Sequence, residues 1–286
     1  MLNLKDIKRK IKSISNTQQI TRAMQMVAGA KLYKAERRVA GIRDFHDSVE
    51  AILDNHLCRL FADRVELLQK RSEIRRTCLI MITADKGLCG SFNQNLIREA
   101  MRIRNEAIAR GGEISFMVVG RKGRDALVKA GVEPLKSYVD LEHSDATEIA
   151  ESFTDLAVKG FLDGTFDAID VLSTRYVSKV TFTVETTRML PVSREASEAR
   201  PDIYIYEPGK VQALEYLVMK SIDVTLIRLM YESLTSEFSS RMISMKGATD
   251  NAGELIRNLT LEKNRVRQAS ITQELTEISS GAEALK

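Results

Sequence analysis

All four prolines of this chain lie in its middle, at positions 134, 191, 201 and 208. Proline ends or kinks a helix because it lacks an N–H and its ring clashes with the preceding turn. The first 57 residues and everything after Pro208 are therefore free to form uninterrupted helices. We predict three segments: an N-terminal helix over 1–57, a central domain over 74–207 and a C-terminal helix over 209–286.

Apolar and small residues follow a heptad pattern in both terminal segments, which is typical of a left-handed coiled coil. In the N-terminal segment the two rows are Leu4, Ile11, Leu32, Val39 and Leu53, and Ile7, Ile14, Ala28, Ala35, Ile42 and Val49. In the C-terminal segment they are Phe238, Met245, Ala252, Leu259 and Val266, with Met242, Thr249 and Ile256 between them. Polar residues interrupt the first pattern at Gln18, Thr21 and Gln25. The pattern predicts a close but weak seam.

Helices at the two ends of one chain, joined by a compact domain, must run antiparallel if they pair with each other. At about 1.5 Å per residue, residues 2–57 would span roughly 85 Å and residues 209–285 roughly 115 Å. The longer C-terminal helix should therefore project beyond the paired region as a single helix. Its end, RQASITQELTEISSGAEALK (267–286), carries no catalytic motif.

The central segment alternates strand-like and helix-like patterns. Buried-strand runs such as TCLIMIT (77–83) and ISFMVVG (114–120) are each followed by an amphipathic stretch, over 92–111 and 121–131. A further helix is predicted near 146–162, and strands near 167–173 and 179–187. This alternation indicates a mostly parallel sheet with helices on its faces. The predicted fold class is α/β: an antiparallel coiled coil of long terminal helices plus a central Rossmann-like domain.

Charge is unevenly distributed along the chain. Residues 1–43 contain eleven Lys or Arg and two acidic residues, a net charge of +9, whereas the whole chain is only +4. One interpretation is a basic coiled coil that binds nucleic acid. Such proteins usually add aromatic side chains for stacking, and Tyr33 is the only aromatic residue in this stretch. A solvated face or acidic protein partners fit better.

The three cysteines, Cys58, Cys78 and Cys89, include no CxxC pair, which favours free thiols in a reducing compartment. No apolar run approaches the roughly 20 residues that a membrane-spanning helix needs. The N-terminus lacks the apolar core of a signal peptide. The three histidines have no metal-ligand spacing, so neither a metal nor a cofactor is predicted.

The loop TADKGLCGSFNQN (83–95) follows a strand and precedes a helix, where nucleotide-binding loops occur. Its lysine, Lys86, precedes the glycines instead of following them, and a GxGxxG pattern is absent. A small enzyme that uses Lys86 is one hypothesis. The simpler interpretation is a tight turn in which Gly87 and Gly90 adopt positive φ, with Cys89 as a buried thiol.

Three segments carry a resemblance to a known family. IKRKIKSISNTQQITRAMQMVAGAKLYKA (7–35) and RMISMKGATDNAGELIRNLTLEKNRVRQASITQELTEISSGAEAL (241–285) resemble the terminal helices of the gamma subunit of F-type rotary ATP synthases. TADKGLCGSFN (83–93) is similar to the central domain of that family. The order of the three segments and the total length also match.

The resemblance implies a central rotor shaft without an active site of its own. The terminal helices would turn inside a ring of alternating alpha and beta subunits, and the central domain would be joined by the epsilon subunit to the membrane c-ring. It also implies contact residues by motif. Met24 would face the mobile acidic loop of beta, with Arg241 as its neighbour across the shaft at residue numbers that sum to about 265. Gln268, Thr272 and Glu274 would contact beta at the tip, which would begin at about residue 264.

Photosynthetic members of that family carry an inserted redox segment with a cysteine pair in the central domain. This chain has no cysteine after Cys89, so thiol regulation of that kind is not expected. Without a transit peptide, the expected location is the cytoplasmic face of a bacterial inner membrane. The sequence leaves the coupling ion, the size of the c-ring and the strand order open.

Overall fold

A computed structural model of the chain describes residues 4–54, 62–192, 207 and 209–284. Helix α1 covers Leu4–Asp54, and the last helix, α5, covers Lys210–Ala284. The elements between them are β1 (Arg76–Ile82), α2 (Phe92–Ala109), β2 (Glu113–Val119), α3 (Arg121–Lys129), β3 (Lys136–Tyr138), α4 (Ala146–Leu162), β4 (Ala168–Tyr176) and β5 (Phe182–Leu190). Short 3-10 turns lie at Ala62–Arg64, Glu66–Leu68 and Leu141–His143.

The chain divides into two compact units. The shaft unit combines residues up to Gly29 with those from Arg241 onward, and the collar unit comprises Ala30–Ser240. Both long helices contribute residues to both units. The division into segments 1–57, 74–207 and 209–286 stays a prediction.

The collar unit contains a five-stranded sheet in the order β3-β2-β1-β4-β5. Strands β1 to β4 are parallel, and β5 returns antiparallel beside β4 as a hairpin. The connections that lead to parallel strands run through α2, α3 and α4, as parallel pairing requires. The predicted α/β class is confirmed. The three-residue strand β3 was not predicted, since so short a run has no readable alternation.

Both faces of the sheet are buried, which explains the continuous apolar runs of its strands. On one face, Ile80, Met117 and Val171 pack with Phe153 of α4 and with α5 residues such as Leu226. The end of α1 joins this cluster through Val49 and Leu53. The opposite face packs its side chains against Phe92 and Leu96 of α2 and Leu127 of α3.

One glycine at the end of β2 allows a close crossing of backbones. Gly120 has φ +102°, and its N–H donates to the carbonyl of Tyr138 at 2.8 Å. A Cβ at this position would lie 2.1 Å from the carbonyl oxygen of Thr83. Only glycine fits here, because the conformation and the space both exclude a side chain.

In the shaft unit the two helices pair antiparallel. Gln18 contacts residues 249 and 253, and Gly29, further along α1, lies beside Met242, which comes earlier in α5. The predicted seam residues Ile7, Ala28, Met245, Ala252 and Leu259 are all buried. The predicted coiled coil is therefore confirmed in this unit.

Candidate partner-binding site

The seam of the shaft unit contains a polar contact at its centre. The hydroxyl groups of Thr21 and Thr249 lie 2.8 Å apart, and the Gln18 amide donates to the Thr249 carbonyl at 3.3 Å. The helices approach closely here, since a Cβ on Gly253 would meet the Gln18 amide at 2.9 Å. Thr249 also donates back to the Met245 carbonyl at 2.8 Å, so its hydroxyl is satisfied within the pair. Polar seam residues of this kind fix the register of a coiled coil at some cost in stability.

Met24 and Arg241, the predicted contact residues of the shaft, are both half-buried. The register places them differently from the prediction. Contacting residue numbers across the pair sum to between 267 and 271, so the predicted sum of 265 is wrong. Residue 24 lies opposite residues 243–247, between two and six residues beyond Arg241. A heptad pattern indicates which residues face the partner helix. It does not fix which turn of one helix lies beside which turn of the other.

The end of α5 continues as an exposed helix. Every residue from Arg267 to Ser280 is exposed, whereas Val266 is still half-buried. The exposed tip therefore begins about three residues later than predicted, in keeping with the shifted register.

All three predicted tip residues are exposed. The Thr272 hydroxyl donates to the Gln268 carbonyl at 2.9 Å, and Thr276 donates to the Thr272 carbonyl at 2.8 Å. These bonds occupy the hydroxyl protons, so Thr272 can offer an outside group only its oxygen as an acceptor. Glu274 adds a solvated negative charge beside it.

The tip also carries an apolar stripe that was not predicted from the sequence. Ile271, Leu275 and Ile278 are exposed by 49%, 62% and 69%. Their spacing of four and three residues places them on one helical face. The pattern is readable in the sequence, but periodicity alone does not reveal that no other part of the chain, as far as the structure describes it, covers the stripe. Large apolar side chains in a contiguous exposed row are typical of a protein-binding surface.

The beginning of α1 presents a basic surface. Lys5, Lys8, Arg9, Lys10 and Lys12 are all exposed. Solvent-facing cations at this density favour an acidic partner through steering more than through stable ion pairs.

The loop after β1 is unsuited to a phosphate. The Asp85 carboxylate accepts the backbone N–H of Arg121 at 3.0 Å and that of Asp140 at 2.8 Å. Arg121 begins α3, so this carboxylate occupies the helix N-terminus that a phosphate would need. A bound phosphate would also face the negative charge of Asp85.

The turn itself differs from the prediction in one detail. Positive φ occurs at Leu88 (64°) and Gly90 (58°), not at Gly87. Cys89 is buried as predicted, and the Ser240 hydroxyl donates to its carbonyl at 2.6 Å. The turn is thus held against α5 within the collar unit, and its geometry is that of a structural connection.

Cys78, on the central strand β1, is also a buried free thiol. Burial, with a smaller contribution from the Asp170 carboxylate, raises its pKa to about 12. A thiol with so high a pKa is a poor nucleophile at neutral pH. Cys58 and His56 lie outside the described residues.

Comparison with known proteins decides the family. A model of the family described as ATP synthase matches residues 3–285. The ATP synthase gamma chain of Chloroflexus aurantiacus is 35% identical over 288 residues, covering 100% of this chain and 99% of its own length. This chain belongs to the ATP synthase gamma-chain family. The gamma chain of Halothermothrix orenii is 37% identical over 291 residues and is covered completely, as is this chain.

Solved structures support the fold. A chain in the Euglena gracilis mitochondrial ATP synthase, in a structure of OSCP, F1 and the c-ring, superposes with a TM-score of 0.69 at 17% identity. The match covers 99% of this chain and 94% of that one. A chain from the central stalk and c-ring of the Tetrahymena thermophila enzyme gives a TM-score of 0.61 at 24% identity over 80% of this chain and 99% of its own.

Among the residues that the structure describes, no group of three or more His, Cys, Asp or Glu side chains is placed to hold a metal ion. Among the same residues, no helix combines the length and apolar character needed to span a bilayer.

Proposed function

We propose that this chain is the central rotor shaft of an F-type ATP synthase, a non-catalytic subunit that couples ion flow through the membrane sector to ATP synthesis or hydrolysis. The observation that carries the proposal is the exposed end of α5. This helix extends beyond its partner helix and exposes an apolar stripe at Ile271, Leu275 and Ile278, which we expect other subunits to cover. We call the surrounding subunits the sleeve. The family membership supports that sleeve being the ring of alpha and beta subunits.

The remaining partners follow from the same assignment. We place the epsilon subunit and the c-ring of the membrane sector at the collar unit. The Tetrahymena relative comes from a structure of central stalk and c-ring, which supports the c-ring as a partner. The complex would lie at the cytoplasmic face of a bacterial inner membrane, with this chain as a peripheral component.

The proposal divides contact residues into two classes. At the tip, Gln268, Thr272 and Glu274 offer polar groups whose contacts with beta can break and form again as the shaft turns. The apolar stripe keeps the tip centred without directional bonds, because the hydrophobic effect is non-directional. In the shaft, Met24 and Arg241 would face the acidic loop of beta.

Catalysis would belong entirely to the ring. The loop after β1 supports this division, since the Asp85 carboxylate fills the site at the N-terminus of α3 where a phosphate would bind. The purified chain should therefore show no ATP turnover.

The stripe provides the most direct test. Serine at Ile271, Leu275 and Ile278 should weaken assembly with the alpha and beta subunits by at least tenfold, since burying one such side chain contributes about 1.5–3 kcal/mol. Assembly is measured by titrating the chain into purified alpha and beta subunits and following the appearance of steady ATP hydrolysis.

A matched control lies on another face of the same helix. Serine at Gln273, Thr276 and Glu277 changes the same number of exposed side chains and removes much less apolar surface, because these side chains are mainly polar. Both variants should stay helical by circular dichroism. Equal assembly by the stripe variant and the control would contradict the sleeve, and hydrolysis by the chain alone would contradict the non-catalytic assignment.

Met24→Lys tests the shaft contact. A lysine at this half-buried position adds a cation that would pair with the acidic loop of beta, so a contact that must break in each step becomes stronger. We expect fewer ions pumped per ATP hydrolysed, with assembly retained, measured in vesicles containing the whole complex. Met26→Lys is the control, since Met26 is exposed and two residues away. An unchanged ratio for Met24→Lys would remove Met24 from the contact set.

A further inference from the structure

The last stretch of α5 within the collar unit is buried and yet polar. Every residue of ESLTSEFSS (232–240) is buried, although seven of these nine residues are polar or charged. Earlier in the same helix, apolar residues such as Leu226 and Met230 pack on the sheet. A buried hydroxyl costs free energy unless it is hydrogen-bonded. The polar stretch therefore depends on specific partners.

Two neighbouring serines at the end of this stretch bond to two different turns. The Ser239 hydroxyl donates to the carbonyl of Lys179, in the turn between β4 and β5. The Ser240 hydroxyl donates to the Cys89 carbonyl at 2.6 Å, in the turn after β1. Ser240 is also the last residue of the collar unit. The two bonds therefore hold α5 at the point where it leaves the collar.

The residue before them is held by α1. Phe238 is only 3% exposed, and the ammonium group of Lys31 lies 5.8 Å from its ring centroid. Lys31 is itself held by an ion pair with Glu142, in the turn after β3. Consecutive residues of an α-helix point about 100° apart, so Phe238, Ser239 and Ser240 span roughly 200° of its circumference. We call these three residues the neck clamp, because they hold α5 around more than half of its circumference.

Both turns that accept from the serines are fixed by bonds of their own. Between β4 and β5, the Thr181 N–H donates to the Ser178 carbonyl at 3.2 Å, and the Ser178 N–H donates to the Thr181 carbonyl at 3.0 Å. After β1, the Cys89 carbonyl also accepts the N–H of Phe92 at 3.2 Å. Leu88, just before it, has φ 64°, a conformation that persists only where the surroundings enforce it. The two acceptor carbonyls are therefore held in place.

The polar character of the neck clamp gives it a resistance to rotation. A hydrogen bond weakens steeply when its angle at the hydrogen falls below about 120°. Turning α5 about its own axis would therefore break both serine bonds, whereas apolar contact is non-directional and can form again after a small rotation.

We propose that the neck clamp passes the twist carried along α5 into the sheet of the collar unit. Ser239 and Ser240 act as positioning residues that make the collar turn together with α5 when an ion gradient opposes rotation. This role rests on the proposed rotor function.

Replacing both hydroxyls, as Ser239→Ala with Ser240→Ala, tests the neck clamp in vesicles that contain the whole complex. Without a gradient there is little load, so ATP hydrolysis should be unchanged. Against a gradient, α5 should slip within the collar, and ATP is then hydrolysed without ions being moved. The steady gradient should fall at least about twofold, since each lost hydrogen bond shifts an equilibrium by about that factor or more.

The matched control removes two other buried hydroxyls of α5, as Ser221→Ala with Thr235→Val. These hydroxyls donate within the helix, to the Val218 carbonyl at 2.9 Å and the Tyr231 carbonyl at 2.7 Å. The control should keep the full gradient. An equal loss in the control would show general loosening of α5 and overturn the proposal.

Circular dichroism checks that the double serine variant folds. If it does not, Ser240→Ala alone decides, because the Cys89 carbonyl keeps its bond from Phe92. A full gradient with the serine variant would overturn the neck clamp and leave the rotor function standing. Failure of the unaltered chain to support any gradient would contradict the rotor function, and the role of the neck clamp with it.

Discussion

Removing residues 1–29 together with residues 267–286 is expected to reduce ATP-driven ion pumping by the assembled complex to background. The first deletion removes the α1 half of the shaft unit, and the second removes the exposed tip. The cut at residue 29 spares the collar unit, whose core includes Val49 and Leu53 of α1. A collar that stays folded without a shaft can bind the membrane sector but cannot transmit torque to the ring. Pumping is measured as acidification or sodium uptake in vesicles that contain the whole complex.

Deleting only the last six residues is the matched control. Residues 281–286 form a small part of the tip and leave Ile271, Leu275 and Ile278 in place, so pumping should be retained. Circular dichroism and urea unfolding of the larger deletion check that the collar is intact. Full pumping by that variant would show that neither the shaft nor the tip transmits torque, and the rotor proposal would then be wrong.

The long helices were predictable because their signals are local. Proline is absent from both ends, and the heptads run through each segment, so Leu4–Asp54 and Lys210–Ala284 agree with the pattern. The register was not predictable from the same pattern. It is set by specific contacts such as Thr21 with Thr249 and Gly253 with Gln18. Those contacts join residues more than 200 positions apart, and nothing local marks them as partners.

The exposed tip of α5 shows a second limit of prediction from the sequence. Gln268, Thr272 and Glu274 came from a resemblance of motif, whereas Ile271, Leu275 and Ile278 emerged only when their exposure was known. A helical row of apolar residues predicts burial, but the sequence does not distinguish burial within the chain from burial against another subunit. The structure distinguishes the two kinds of burial, because the pairing of α1 with α5 ends near Val266 and leaves the later residues exposed.

The loop after β1 illustrates the same point for chemistry. Its position after a strand and before a helix is that of a nucleotide-binding loop, and the sequence argued against one through the order of Lys86 and the glycines and through the absence of a GxGxxG pattern. The decisive observation is the Asp85 carboxylate at the N-terminus of α3. Asp85 and Arg121 are brought together by the parallel pairing of β1 with β2, whose carboxyl ends meet at one edge of the sheet.

Gly120 lies at the same edge of the sheet. We expect a methyl group added at this position to lower the free energy of unfolding strongly. The backbones after β1 and β2 cross at Gly120, held by the N–H of Thr83 bonding the Val119 carbonyl at 2.7 Å and by that of Gly120 bonding the Tyr138 carbonyl. The Thr83 hydroxyl accepts the N–H of Gly123 at 2.9 Å. These bonds leave little freedom to shift, so a side chain cannot be accommodated by moving one strand alone.

Gly120→Ala is therefore expected to reduce the free energy of unfolding by about 2–5 kcal/mol. The backbone conformation of Gly120, with φ +102° and ψ 136°, is sparsely populated by other residues and contributes about 1–2 kcal/mol of this loss, and overpacking against the Thr83 carbonyl contributes about 1–3 kcal/mol. Gly131→Ala is the control, since Gly131 has φ +73° and a Cβ there would meet nothing within 4 Å. It should lose only the conformational part. Urea unfolding of the full-length variants measures both, and equal midpoints would show that the collar tolerates the contact at Gly120 by separating β1 from β2.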